Sequence, residues 1–163
     1  MDIQYKSFEN KPDLYRYILE QVEHTQRETG DLTAVLANTS AVLMLLMPDL
    51  NWAGFYLMKD GGLVLGPFQG KPAVAHIQVG SGVCGTAVAE RATQLVENVH
   101  KCCNHIACDL ATNAELVVPI FAGEKIFGVI DLDSPVTGRF DGEDRTGVEA
   151  VAAALGRFAA EHP

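Results

Sequence analysis

A chain of 163 residues, 48% hydrophobic and 20% charged, carries enough apolar mass for one well-buried core and too much for a disordered segment. Its net charge of −9, from 21 acidic against 12 basic side chains with no Lys/Arg cluster, removes nucleic acid from the expected partners. The opening MDIQYKSFENKPD has no basic segment followed by an apolar one, and no run approaches the roughly 18 apolar residues of a membrane helix, so a cytoplasmic protein without membrane attachment is expected.

After Pro12 the apolar positions Leu14, Tyr17, Ile18 and Val22 recur at helical spacing before the polar run EHTQRETG, which predicts a helix to about Thr29. Asp31 is placed to cap a second helix with Leu32, Val35, Leu36, Val42, Leu43 and Leu46 on its apolar face, ending before Pro48. At Trp52 the pattern changes to two β-prone runs around Asp60-Gly61-Gly62, a hairpin signal. AHIQVG reads as a short strand, GTAVAERA as a short helix and TQLVEN as another strand. Residues 98–112 lack periodicity, and so long a loop in a compact domain points to a site rather than a connection. ELVVPIF, a turn at Ala122-Gly123-Glu124 and KIFGVIDLD form a second hairpin, and Asp141 caps a last helix with Val148, Val151, Leu155 and Phe158 on one face. The layout is one domain: helices over about 12–47, sheet and site loops over about 51–133, and a helix over about 142–161. Helices at both ends of antiparallel hairpins, without a βαβ rhythm, define an α+β class with helices on one face and a cavity under the cysteine-bearing segment on the other.

That segment, HKCCNHIACD at residues 100–109, holds two of the five histidines and three of the four cysteines. His100, Cys102, Cys103, His105 and Cys108 are all metal-capable, but adjacent cysteines diverge and do not form the C-x2-4-C pairs of structural zinc, so no metal is predicted. A redox site needs an accessible thiolate and a second thiol able to attack it after oxidation, and Cys84 with Cys108 is the best-placed pair. Cys84, in GSGVCGTAV, precedes a helical run whose dipole would favour a thiolate; alternatively either cysteine is a small buried hydrophobe. In IDLD, Asp131 and Asp133 share a strand face, and Glu115 opens the paired strand; facing a cavity, such carboxylates hold a proton or a cation, and facing solvent they are an acidic edge. Trp52 and Tyr56 of NWAGFY share a face, as core residues or as a pocket wall. No phosphate-binding glycine motif and no G-x-S-x-G elbow is present, so nucleotide cofactors and serine hydrolysis are not expected.

Taken together, NWAGFY, LGPFQG, GVCGTAV, HIACD, ELVVPI, GVIDLDSP and GRFDGED, in this order from about Asn51 to Gly147, closely resemble the free methionine-(R)-sulfoxide reductases, which are stand-alone GAF domains. The resemblance implies a GAF-like sheet of about six antiparallel strands with helices on one face and a small-molecule pocket under loops on the other, commonly in homodimers. It implies that Cys108, in HIACD, is the catalytic thiol and that Cys84, in GVCG, is a second family cysteine. Glu115, Asp131 and Asp133 correspond to the pocket carboxylates, and Trp52 and Tyr56 to the aromatic wall. Many members carry a further cysteine ten positions before the GVCG cysteine, which forms the resolving disulfide; Val74 stands there in this chain. Cys84, Cys102, Cys103 or an external thiol is then left to resolve.

The implied reaction is reduction of free L-methionine (R)-S-oxide through a cysteine sulfenic acid, which a second thiol converts to a disulfide for a thioredoxin-like dithiol to reduce. No metal, flavin or nucleotide cofactor is required. The competing expectation for a GAF domain is a small-molecule sensor; these 163 residues hold no output domain, so a sensor would need a separate partner.

Overall fold

Polar caps set the helix boundaries in the computed structural model, which describes residues 8–101 and 110–162. The Asn10 side chain accepts from the Asp13 amide at 2.9 Å and Pro12 occupies the first turn, opening α1 (Lys11–Glu28). Asp31 accepts from the Ala34 amide at 2.8 Å and opens α2 (Leu32–Leu46). Thr39 and Ser40 lie on the buried face of α2 and spend their hydroxyls on the Val35 and Ala37 carbonyls, both at 2.8 Å, so no polar cost remains there.

The strands follow the predicted hairpins. Strands β1 (Trp52–Lys59) and β2 (Gly62–Gly70) meet at Asp60 and Gly61, whose φ values of 51° and 81° suit the twist of a two-residue hairpin. Then come β3 (His76–Gln78), α3 (Gly82–Glu90), β4 (Gln94–Val96) and a 3-10 turn (Val99–Lys101). The second hairpin is β5 (Ala114–Ala122) with β6 (Lys125–Ser134), and α4 (Gly142–Glu161) closes the described chain. The sheet is antiparallel in the order β3-β2-β1-β6-β5-β4, which joins the two hairpins through β1 and β6 at the centre.

Alternation along the strands sends different chemistry to each face. Ala53, Phe55, Leu116, Val118, Ile120, Ile130 and Leu132 join the helix-side core. Helix α2 packs on β1 and β2, α4 on β5 and β6, and α1 lies across α2 and α4. Two glycines permit these approaches: a Cβ at Gly147 would fall 2.0 Å from the Tyr15 ring, and one at Gly156 would fall 2.1 Å from the Phe121 carbonyl oxygen. The terminal helices thus cover one face as expected, and α3, from the middle segment, packs on the opposite face against β3, β4, β5 and β6. It also begins at Gly82 rather than Gly85, so Cys84 lies in its first turn. The backbone folds back there, with the Gly80 amide donating to the Gly85 carbonyl at 2.8 Å, leaving no room for a side chain at Gly85.

Asp144 ties the helical layer together. Its fully buried carboxylate accepts from Lys11 Nζ at 2.6 Å, the Tyr15 hydroxyl at 2.7 Å, Arg139 Nη1 at 3.2 Å and the Asp141 amide at 3.0 Å. The Asp141 carboxylate in turn accepts from the Glu143 and Asp144 amides, completing a capping box at the start of α4. Burial, with the Asp144 charge beside it, drives the Tyr15 phenol well above its ordinary pKa and keeps it a donor. Asp144→Ala, which takes the buried acceptor from the Tyr15 hydroxyl and from the largely buried Arg139, is expected to cost about 3–5 kcal/mol in urea unfolding. Arg16→Ala, which removes only the exposed pair with Asp13, should change stability by less than about 1 kcal/mol.

Candidate active site

The sheet register builds the site in rows. Trp52, Asp133 and Glu115 are successive partners across β1, β6 and β5; the next row is Gly54, Asp131 and Val117, and the one after is Tyr56, Val129 and Pro119. Glu115 and Asp133 are therefore cross-strand neighbours, with Asp131 one pleat along the same face. Like charges directly opposite destabilise a sheet, and all three carboxylates are buried, at 4–5% exposure.

Helix α3 covers these rows. Val83, Cys84, Ala87 and Val88 pack with Tyr56, Leu63, Ile77, Val117 and Val129 in a second hydrophobic cluster. Cys84 Sγ and one carboxylate oxygen each of Glu115 and Asp131 lie within 4.8 Å of one another, close enough for all three to face one small cation. Asp131 Oδ1 is buried without a hydrogen-bond partner among the described residues.

Burial and mutual repulsion favour the neutral forms. Desolvation, reinforced by Asp133, raises the Glu115 carboxyl well above the usual range; desolvation and Glu115 do the same for Asp131. Cys84 is pushed up by burial first, then by Asp131 and Glu115. The expectation that the helix dipole makes Cys84 a thiolate is thereby corrected: a fractional dipole charge is outweighed by desolvation and neighbouring carboxylates.

Trp52 and Tyr56 are 2% and 0% exposed, and their polar tips hold the segment between β2 and β3. Trp52 Nε1 donates to the Lys71 carbonyl at 3.0 Å and the Tyr56 hydroxyl to the Val74 carbonyl at 2.9 Å. Val74 is exposed on that segment. Phe68, which sequence reasoning missed, stacks on Trp52 with ring centroids 5.2 Å apart. A simple count outward from the Asp60-Gly61 turn pairs Gly54 with Pro67, and a bulge between Gly54 and Tyr56 moves the pairing to Phe68. Gly54 leaves the room: a Cβ there would fall 2.3 Å from Phe68 Cβ and 2.8 Å from the Trp52 ring.

The structure thus brings together Cys84, Glu115, Asp131, Asp133, Trp52 and Tyr56. Cys108, with Cys102, Cys103 and His105, lies outside the described residues. His100 braces the chain on the near side of that segment, its Nε2 paired with Asn113 Oδ1 at 2.9 Å while Asn113 Nδ2 donates to the Pro135 carbonyl at 2.7 Å.

Residues 31–158 match the family model for the GAF domain, and the chain belongs to that family. It is 48% identical over 146 residues to the free methionine-R-sulfoxide reductase of Escherichia coli K12, covering 90% of this chain and 88% of that relative. The solved structure of free methionine-R-sulfoxide reductase from Neisseria meningitidis in complex with its substrate superposes with a TM-score of 0.92 at 38% identity, covering 99% of this chain and 98% of that one. The reduced form of the Staphylococcus aureus protein gives 0.84 at 45% identity, covering 88% and 94%. Within the GAF domains, the chain belongs to the free methionine-R-sulfoxide reductases.

Because folding raises the Glu115 and Asp131 pKa values, the folded state retains protons that the unfolded chain releases from the ordinary carboxylate range upward. Stability therefore falls as pH rises through that window, by about 1.4 kcal/mol per pH unit for each retained proton. Glu115→Gln with Asp131→Asn should flatten this slope and raise stability at neutral pH, as measured by urea unfolding on the acid and neutral sides; an unchanged slope would contradict the raised values. Trp52 is the single tryptophan, so intrinsic fluorescence reports on this wall alone, and Gly54→Ala should shift its emission to the red.

Proposed function

We propose that this chain reduces free L-methionine (R)-S-oxide to L-methionine with Cys108 as the attacking thiol. The observation that carries the reading is the row of buried carboxylates beside Trp52, beneath the first turn of α3. A free amino acid brings an ammonium group to neutralise one carboxylate, and its S-methyl group suits an indole wall. A methionine sulfoxide inside a polypeptide has an amide in place of the ammonium, so its entry would leave a buried carboxylate unpaired, at a cost of several kcal/mol in order of magnitude.

The Cys108 thiolate attacks the sulfoxide sulfur while a carboxylic acid protonates the sulfoxide oxygen. The protonated oxygen passes to the Cys108 sulfur as the sulfur–oxygen bond and the newly formed sulfur–sulfur bond break, which releases methionine and leaves Cys108 as a sulfenic acid; a second thiol condenses with it, expelling water and forming a disulfide. Glu115 and Asp131, whose burial favours the protonated form, are the groups suited to supply that proton at neutral pH. Asp133 completes the cluster that receives the ammonium group, and Tyr56 fixes the pocket wall. Cys84 enters this scheme as a neutral thiol lining the pocket, which makes Cys102, Cys103 or an external thiol the better resolver. The reductant is a thioredoxin-like dithiol, the location cytoplasmic, the 163 residues one GAF domain, and the assembly a homodimer.

The test is turnover of free (R)- and (S)-sulfoxides and of a peptide-embedded sulfoxide, with dithiothreitol and with thioredoxin as reductants. Wild type should reduce only the free (R) form, and Cys108→Ser should fall to background. Glu115→Gln and Asp131→Asn should each lower kcat/KM by roughly 10²–10⁴-fold. Thioredoxin-dependent turnover should survive Cys84→Ser; its loss in the Cys102/Cys103 double serine variant assigns the resolver to that pair, and its survival there assigns it to an external thiol. Activity retained in Cys108→Ser would sink the mechanism.

A further inference from the structure

Helix α3 carries Cys84 in its first turn and ends at Arg91, which adopts a left-handed conformation (φ 54°, ψ 38°). The Arg91 guanidinium donates to the Glu124 carbonyl at 2.7 Å and lies 5.1 Å above the centroid of the Phe121 ring. Facing it from α4 are Arg145 and Arg157, and together they border a groove of about 530 Å³ floored by Val118, Pro119 and Phe121. This volume falls within the range of small-molecule sites, about 300–1,000 Å³.

The charge of the groove runs against that of the chain. Three guanidiniums meet one lining carboxylate, Glu149, giving a local excess of two positive charges in a chain of net charge −9. Glu149 is also shared: its Oε1 accepts from Arg145 Nε at 2.9 Å and from the Thr93 hydroxyl at 2.7 Å. Arg91 and Arg145 are thus held in place by protein partners, whereas Arg157 makes no ion pair or hydrogen bond among the described residues. Two held guanidiniums and a third without a partner among the described residues, set around an apolar floor, are complementary to a phosphate or carboxylate head on a small apolar body.

We propose that this groove is a second binding site, distinct from the carboxylate pocket, for a small organic anion with an apolar body. The anion head pairs with Arg157 and Arg145, and the apolar part lies on Phe121 and Val118 beneath Arg91. The site touches the far end of α3 from Cys84 and the same strand that carries Glu115, so it adjoins both elements of the pocket without sharing a residue with it. This inference does not depend on the reaction proposed above.

Phenyl phosphate is the probe, followed by calorimetry and by amide chemical shifts of the full chain. Saturable binding of one equivalent is expected, with shifts centred on Thr93, Phe121 and Ala153, and weaker binding of inorganic phosphate, which lacks the apolar body. Arg157→Ala should lower affinity roughly tenfold or more, and Arg145→Ala/Arg157→Ala further. Both side chains are on the surface, so the variants should keep the wild-type amide spectrum elsewhere. Free methionine sulfoxide should not displace the probe. Absence of saturable binding, equal affinity for inorganic phosphate, an unchanged affinity in the double variant, or displacement by the sulfoxide would each overturn the proposal.

Discussion

Carboxylates on a buried sheet face repel one another, and much of the site side of this molecule is arranged around that repulsion. Glu115 and Asp133 stand opposite each other across β5 and β6, with Asp131 one pleat away. Water would relieve the strain, but α3 and the aromatic wall keep it away, so the groups respond by favouring their neutral forms. The result is a buried acidic cluster in which the protonated forms of Glu115 and Asp131 are favoured. Such a site is costly to fold and well suited to a substrate that arrives with an ammonium group and an oxygen to be protonated.

The opposite face supplies the stability that this arrangement consumes. Its core is continuous aliphatic and aromatic packing between the sheet, α2 and α4, with α1 locked on top through the Asp144 network. There the buried carboxylate has four donors, two of them cationic, whereas Asp131 keeps an oxygen with no hydrogen-bond partner among the described residues. The two acidic sites differ in what surrounds them: Asp144 meets cations and donors, whereas Asp131 lies beside Glu115 and Cys84.

Local signals carried most of the fold. Asp31, Asp141 and the Asp60-Gly61 turn announced their elements because caps and tight turns depend on a few adjacent residues. The side-sharing of Asp131 and Asp133 followed from the strand period in the same way. Whether that shared side was solvent or pocket did not follow, because it depends on α3 arriving from another part of the chain. Phe68 was missed because a bulge changes the register by one residue, and no local rule locates it. The acidity of Cys84 was misjudged because its burial and its two carboxylate neighbours are tertiary facts, while the helix terminus beside it is local.

The central pairing of β1 with β6 also governs when the pocket can exist. Trp52 and Asp133 are partners in the sheet yet come from opposite ends of its sequence, so the indole wall leaves the ribosome well before the strand that brings its acidic neighbours. In that interval the inner edge of β1 is an unpaired strand with aromatic residues on both faces, and it must be kept from pairing elsewhere. The carboxylates are brought together only in the step that also seals this edge. Proximity of the acids and protection of the edge are therefore one folding event, and a newly made chain acquires its substrate site at the moment it loses its most adhesive surface.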